Sequence, residues 1–280
     1  MVNSGFKNFH LKQQKDIKIA ITNAEFNCKV LGDGAKSIIA FHGFGQDGNS
    51  FLPLASKNPE YTIYSIDLPF HGRTIIHDPS ICIAHREVIE LAGKLIELFS
   101  LEKFSLIGFS IGGKLIFPVI EKFSSQIENV WLLAPDGIKP LFWYRVATET
   151  YLTRQIFRVL LKNYEIIKRL GYGLRSMHLI DKGTLSFILK ATNSREKRDR
   201  VCYIWISLRK LELNLDKVSE MLNESDISVF FVLGENDKII PKSNIEPLVN
   251  RTKNSKTITL SCAHQNIIEC FADWSSGKSS

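Results

Sequence analysis

A chain of 280 residues, 44% apolar and 23% charged, can bury roughly three quarters of its unfolded surface, which suits one large α/β domain or two small ones. With 17 glycines and nine prolines it sits near the globular average, which excludes disordered, collagen-like and fibrous chains. The formal charge of +7 comes without a nucleic-acid-binding module, and no apolar run nears the roughly 20 residues that span a bilayer, so neither nucleic acid nor a transmembrane segment is expected.

The first twenty residues scatter Lys7, Lys12, Lys15, Asp16 and Lys18 among polar neighbours, unlike a secretion signal. Five cysteines (Cys28, Cys82, Cys202, Cys262 and Cys270) form no C-x-x-C spacing. Reduced thiols in a cytoplasm fit that pattern better than a disulfide or zinc framework. Short apolar runs bounded by Gly, Pro, Asn or Asp recur at 17–22, 26–31, 37–41, 61–66, 104–108, 130–134, 229–233 and 257–260, and predict eight strands. The first three are joined by short turns such as Gly32-Asp33-Gly34. Later ones are separated by amphipathic segments of helical length, such as 84–99 and 114–123, which predicts a mostly parallel sheet with helices on both faces.

Alternation stops after the sixth run. There Leu152, Ile156, Leu160, Tyr164 and Ile167 repeat at helical spacing up to Gly171, and Val201, Ile204, Trp205, Leu208 and Leu211 form a second stripe. The expectation is a helical cap, or lid, over 138–214, inserted into a core of 1–137 and 215–280 whose tail from Ser275 frays.

Gly108-Phe109-Ser110-Ile111-Gly112-Gly113 places a serine between a strand and a helix, where glycines permit a sharp turn that exposes the hydroxyl near the positive helix end. The third strand ends in His42-Gly43-Phe44-Gly45, so backbone N–H groups of Phe44 and Ile111 are candidates for an oxyanion hole. His42, Gly43 and Gly45 are read as the loop supporting it. Asp237 and His264 follow the last two strands, on the same edge as Ser110, which completes the order Ser, Asp, His; Asp136, after the sixth strand, is the rival acid.

Together, His42–Gly45, Asp67-Leu68-Pro69-Phe70-His71-Gly72-Arg73, Gly108–Gly113, Gly234–Pro241 and Ala263-His264 resemble the α/β-hydrolase superfamily over essentially the whole chain outside the insertion. The resemblance implies an eight-stranded sheet with its second strand antiparallel, and a helical cap over the catalytic edge. Serine at position 110 points to the esterase/lipase-like branch rather than to branches with an aspartate nucleophile. Phe70 stands where the family usually has Gly, which implies a bulkier loop without a catalytic role.

The function expected is a serine hydrolase that cleaves a small-molecule ester or thioester through an acyl-enzyme, with no metal or cofactor. A carbon–carbon bond hydrolase with the same triad, or a non-catalytic ligand receptor on the same fold, is the alternative. From Lys139 to Lys210 there are 16 basic against five acidic residues, with 20 against 24 elsewhere. The cap is therefore expected to favour anionic substrates or peripheral contact with anionic membranes.

Overall fold

Every residue of Phe104–Phe109 is buried, as a strand covered on both faces must be. In the computed structural model, which describes residues 14–78, 82–139 and 142–277, this strand lies inside a nine-stranded sheet. In chain order the strands are β1 (Gln14–Ile21), β2 (Ala24–Leu31), β3 (Lys36–Phe41), β4 (Tyr61–Ile66), β5 (Ile75–Ile76), β6 (Phe104–Phe109), β7 (Ile127–Leu133), β8 (Ser228–Gly234) and β9 (Ser255–Leu260). Their order is β1-β2-β4-β3-β6-β7-β8-β9, with β5 paired to β2. β2 is antiparallel to β1 and β4, and every later pair along the path is parallel. All eight runs read from the sequence are strands. The ninth, β5, has two residues, below the length at which alternation can be recognised. Lys7 and Lys12 and the last three residues of the tail lie outside the described residues.

Helices cover both faces. His85–Phe99 packs on Gly113–Phe123, and Leu52–Lys57 packs on Ile267–Ser275. Between β7 and β8 the chain forms helices Phe142–Thr148, Tyr151–Lys162, Tyr164–Ser176, Lys182–Thr192 and Arg195–Ser207, before Leu215–Glu224 returns to pack on Gly113–Phe123. The stripe expected to run unbroken to Gly171 is in fact two helices. Asn163 leaves the helical conformation (φ −117°, ψ 107°), and its side chain accepts the N–H groups of Glu165 and Ile166, so it ends one helix and caps the next. Gly171 is not a stop, because that helix continues to Ser176. In the second stripe Val201, Ile204, Leu208 and Leu211 are buried. No helix among the described residues is long and apolar enough to cross a membrane.

Buried polar groups fasten the loops that leave β3 and β4. Asp67 is fully buried, and its carboxylate accepts the N–H groups of Gly48 (2.7 Å) and Arg73 (2.8 Å) and the Asn27 amide (2.9 Å). His42 accepts the Leu68 N–H at Nε2 (3.0 Å) and donates from Nδ1 to the Gly43 carbonyl (2.8 Å). His71 accepts the Gly45 N–H at Nε2 (2.9 Å) and donates from Nδ1 to the Pro69 carbonyl (2.8 Å). In each ring both nitrogens are used by the neutral form, and a second proton at Nε2 would break the bond it accepts. Immediately before His71, Phe70 sits at φ 61°, the left-handed region in which glycine is at ease, and its ring stacks on Tyr203, from the helices between β7 and β8, at 5.1 Å.

Burial lowers the pKa of His42 to about 4; burial, and then the neighbouring His42, lowers that of His71 to about 3. Both rings thus stay neutral in the fold at pH values where the unfolded chain has already bound protons near the ordinary 6.5. Stability from this pair is complete above about pH 6.5 and is lost as the pH falls towards 4 and then 3. Denaturant melts at pH 7.5 and 5 should differ by about 2 kcal/mol for each histidine. His71→Asn should lower stability and shrink that difference; an unchanged pH dependence would contradict the burial of a neutral ring.

Candidate active site

β6 hands the chain to Ser110 at φ 51°, and a single turn, Ser110–Gly112, leads into Gly113–Phe123. A left-handed L-residue costs about 1 kcal/mol or more, and this one is held by packing and by the Asp136 N–H, which donates to the Ser110 carbonyl at 2.9 Å. Glycine is required on both sides. A Cβ at 112 would lie 2.2 Å from the Phe41 carbonyl oxygen, and one at 108 would lie 2.8 Å from the Ile116 side chain and 2.9 Å from the Gly113 Cα.

The loops after β8 and β9 are stitched together, with the N–H groups of Glu235 and Asn236 donating to the carbonyls of Leu260 (2.8 Å) and Cys262 (3.0 Å). That stitching brings Asp237 to His264. Asp237 Oδ1 accepts the N–H groups of Ile239 (2.8 Å) and Ile240 (2.9 Å), while Oδ2 accepts His264 Nδ1–H at 2.6 Å. The other ring nitrogen, Nε2, lies 3.1 Å from Ser110 Oγ, within reach of its proton. The Phe109 ring braces the imidazole at 4.9 Å, and the Asp237 side chain is 1% exposed, so the carboxylate meets the imidazole out of water. Asp136 is not part of this chain of bonds. Its carboxylate is 3.5 Å from Lys114 Nζ, and that ammonium also sits 4.0 Å over the Tyr144 ring.

β3 and β6 are parallel neighbours with Phe41 opposite Gly108. Phe44 and Ile111 each lie three residues beyond that level, on segments that leave adjacent strand ends. Gly43 donates its N–H to Gln46 (3.0 Å) and Gly45 to His71, so the loop is tied down on both sides of Phe44. The Phe44 side chain packs against a second cluster, formed in the inserted helices by Leu161, Val201, Cys202 and Ile206. Sequence reasoning attached no site role to His71 or Gln46. The Asp67–Arg73 motif carried the signal for His71, and nothing marked Gln46. All five cysteines are unpaired; Cys262 is buried, and burial followed by its neighbour Cys270 pushes its thiol up to about 12.

Comparison with known proteins agrees with the fold. Residues 36–165 match the family described as alpha/beta hydrolase fold. A 2-succinyl-6-hydroxy-2,4-cyclohexadiene-1-carboxylate synthase of Serratia proteamaculans is 28% identical over 90 residues, which is 31% of this chain and 34% of that relative, so the match takes in about a third of its length. Among solved structures, a thermophilic esterase from Thermogutta terrifontis superposes with a TM-score of 0.67 at 14% identity over 95% of this chain and 96% of its own. The thioesterase domain from the curacin biosynthetic pathway gives 0.64 at 14% identity over 95% and 98%. Strand order, the antiparallel β2 and these likenesses establish that the chain has the α/β-hydrolase fold.

Proposed function

We propose that this protein is a serine hydrolase that cleaves a carboxylic ester or thioester through an acyl-enzyme. The observation that carries the reading is the continuous path Asp237 Oδ2, His264, Ser110 Oγ, with links of 2.6 and 3.1 Å, ending on a serine at a left-handed elbow.

In this mechanism Ser110 Oγ attacks the substrate carbonyl while His264 Nε2 takes its proton. Charge on the carbonyl oxygen is stabilised by the N–H groups of Phe44 and Ile111, a contribution of about 3 kcal/mol for each such donor in comparable sites. Asp237 holds the ring with Nε2 towards the serine and stabilises the imidazolium. His264 then protonates the leaving alkoxide or thiolate, which departs and leaves an acyl-serine. Water, deprotonated by His264, attacks that acyl group; the acid is released and the proton returns to Ser110. In the same reading 138–214 form the cap over the site, and Phe44 is where cap and oxyanion loop meet.

Purified protein tested on p-nitrophenyl esters of graded chain length, beside thioesters, should turn over at least one series. Ser110→Ala and His264→Ala should each lower kcat by about three decades or more without loss of fold. More than a tenth of wild-type activity in either would remove that residue from the mechanism.

Asp237→Asn should cost about three to four decades, because an amide lets the imidazole settle in the wrong tautomer. Asp136→Asn gives up a contact to Lys114 and should stay within about tenfold of wild type. A reversed order would move the acid to the end of β7.

A thiol nucleophile at Cys262 is opposed by its burial and raised pKa. Cys262→Ser should therefore retain turnover, and its complete loss with an unchanged circular dichroism spectrum would contradict the assignment of chemistry to Ser110.

A further inference from the structure

The two helices that Asn163 separates carry an apolar stripe that faces outward. Leu152, Ile156, Val159, Ile166, Leu170 and Met177 are between 38% and 68% exposed. Within each helix they recur at steps of three and four residues, so each helix carries its own exposed apolar row and the two rows meet at the non-helical Asn163. An isolated exposed leucine needs no explanation, but two adjoining rows of this kind on a folded domain mark a surface that meets something apolar.

Charge decides what that is. From 151 to 182 the chain has seven Lys and Arg against Glu165 and Asp181 alone. Both acids are engaged, Glu165 with Lys168 at 3.1 Å and Asp181 in capping Lys182–Thr192. Lys162 and Arg169 border the stripe within about 60° on a helical projection and are exposed. A second copy meeting it through the same surface, as a two-fold dimer would, brings the same net positive charge and is repelled. An apolar strip with a cationic border complements the interface of a membrane that carries anionic headgroups.

We propose that Tyr151–Ser176 docks on an anionic phospholipid surface, with the stripe seated among the acyl chains nearest the headgroups and Lys162 and Arg169 against the phosphates. The inner side of Tyr151–Lys162 supplies Leu161 to the cluster on which Phe44 packs, so docking would bring the site around Ser110 to the lipid surface. This surface goes beyond the hydrolase reading and does not depend on it.

The test is co-sedimentation of the full chain with phosphatidylcholine vesicles that contain or lack phosphatidylglycerol. Wild-type protein and Ser110→Ala should both bind the anionic vesicles, with far less binding to neutral ones and a marked loss at 1 M salt, where the Debye length shrinks to about 3 Å. The variant Leu152→Gln/Ile156→Gln/Val159→Gln, altered only at exposed positions, should bind on the order of tenfold more weakly, as should Lys162→Glu/Arg169→Glu. Both should keep the wild-type circular dichroism spectrum and the wild-type rate on a soluble ester. Lack of binding by wild type, equal binding to both vesicle types, or undiminished binding by the triple variant would overturn the proposal. A concentration-dependent dimer, abolished by the triple variant and without vesicle binding, would overturn it in favour of a second copy. Since vesicle binding is read without turnover, failure here and failure of the hydrolase mechanism are told apart.

Discussion

Ser110 is an L-residue held in the left-handed region, and the arrangement of the site follows from how that backbone is kept there. The turn closes only because residue 112 has no side chain to meet the end of β3 and residue 108 none to meet Ile116 and Gly113. Contact at that distance fixes β3 and β6 as neighbours, and so places the loop carrying Phe44 beside the start of the helix carrying Ile111. The strain at one residue is the cost of lifting a hydroxyl clear of the sheet edge.

The remaining groups reach the serine through loops, and loops hold a position only when their polar atoms are satisfied. Two sets of buried bonds do this. On one side Asp67, His42 and His71 draw the loops after β3 and β4 together, using a carboxylate and two neutral imidazoles as acceptors of backbone N–H groups. On the other, carbonyls of Leu260 and Cys262 bind the loop that carries Asp237. Asp237 divides its oxygens between the two tasks, one shaping its own turn and the other orienting His264. It is a turn former and the partner of the imidazole at once, which two separate readings of the residue would miss.

The sheet was legible because buried parallel strands require uninterrupted apolar runs, and the motifs 108–113, 237 and 264 were legible because the turns they occupy admit few residues. What escaped depended on tertiary placement. The spacing of Leu152, Ile156 and Leu160 marks a helix with an apolar side, yet periodicity does not report where that side points, and here much of it points outward. Asn163 within the same stripe held the break, since a side chain that competes for backbone N–H groups ends one helix and starts another. His71 was passed over because its bond to Gly45 joins residues 26 apart in sequence. Choosing between Asp136 and Asp237 likewise needed coordinates, as both follow parallel strands and only one reaches the imidazole.

Acyl transfer at this site requires that His264 activate the Ser110 hydroxyl. A fluorophosphonate probe measures this directly, because it reacts with a serine whose proton can be withdrawn and leaves a stable phosphonyl ester on Oγ. Intact-mass and peptide mass spectrometry should find one adduct per chain, located on Ser110, and none in folded Ser110→Ala protein. An unlabelled wild-type chain, or an adduct that persists on another residue in the variant, would contradict the account.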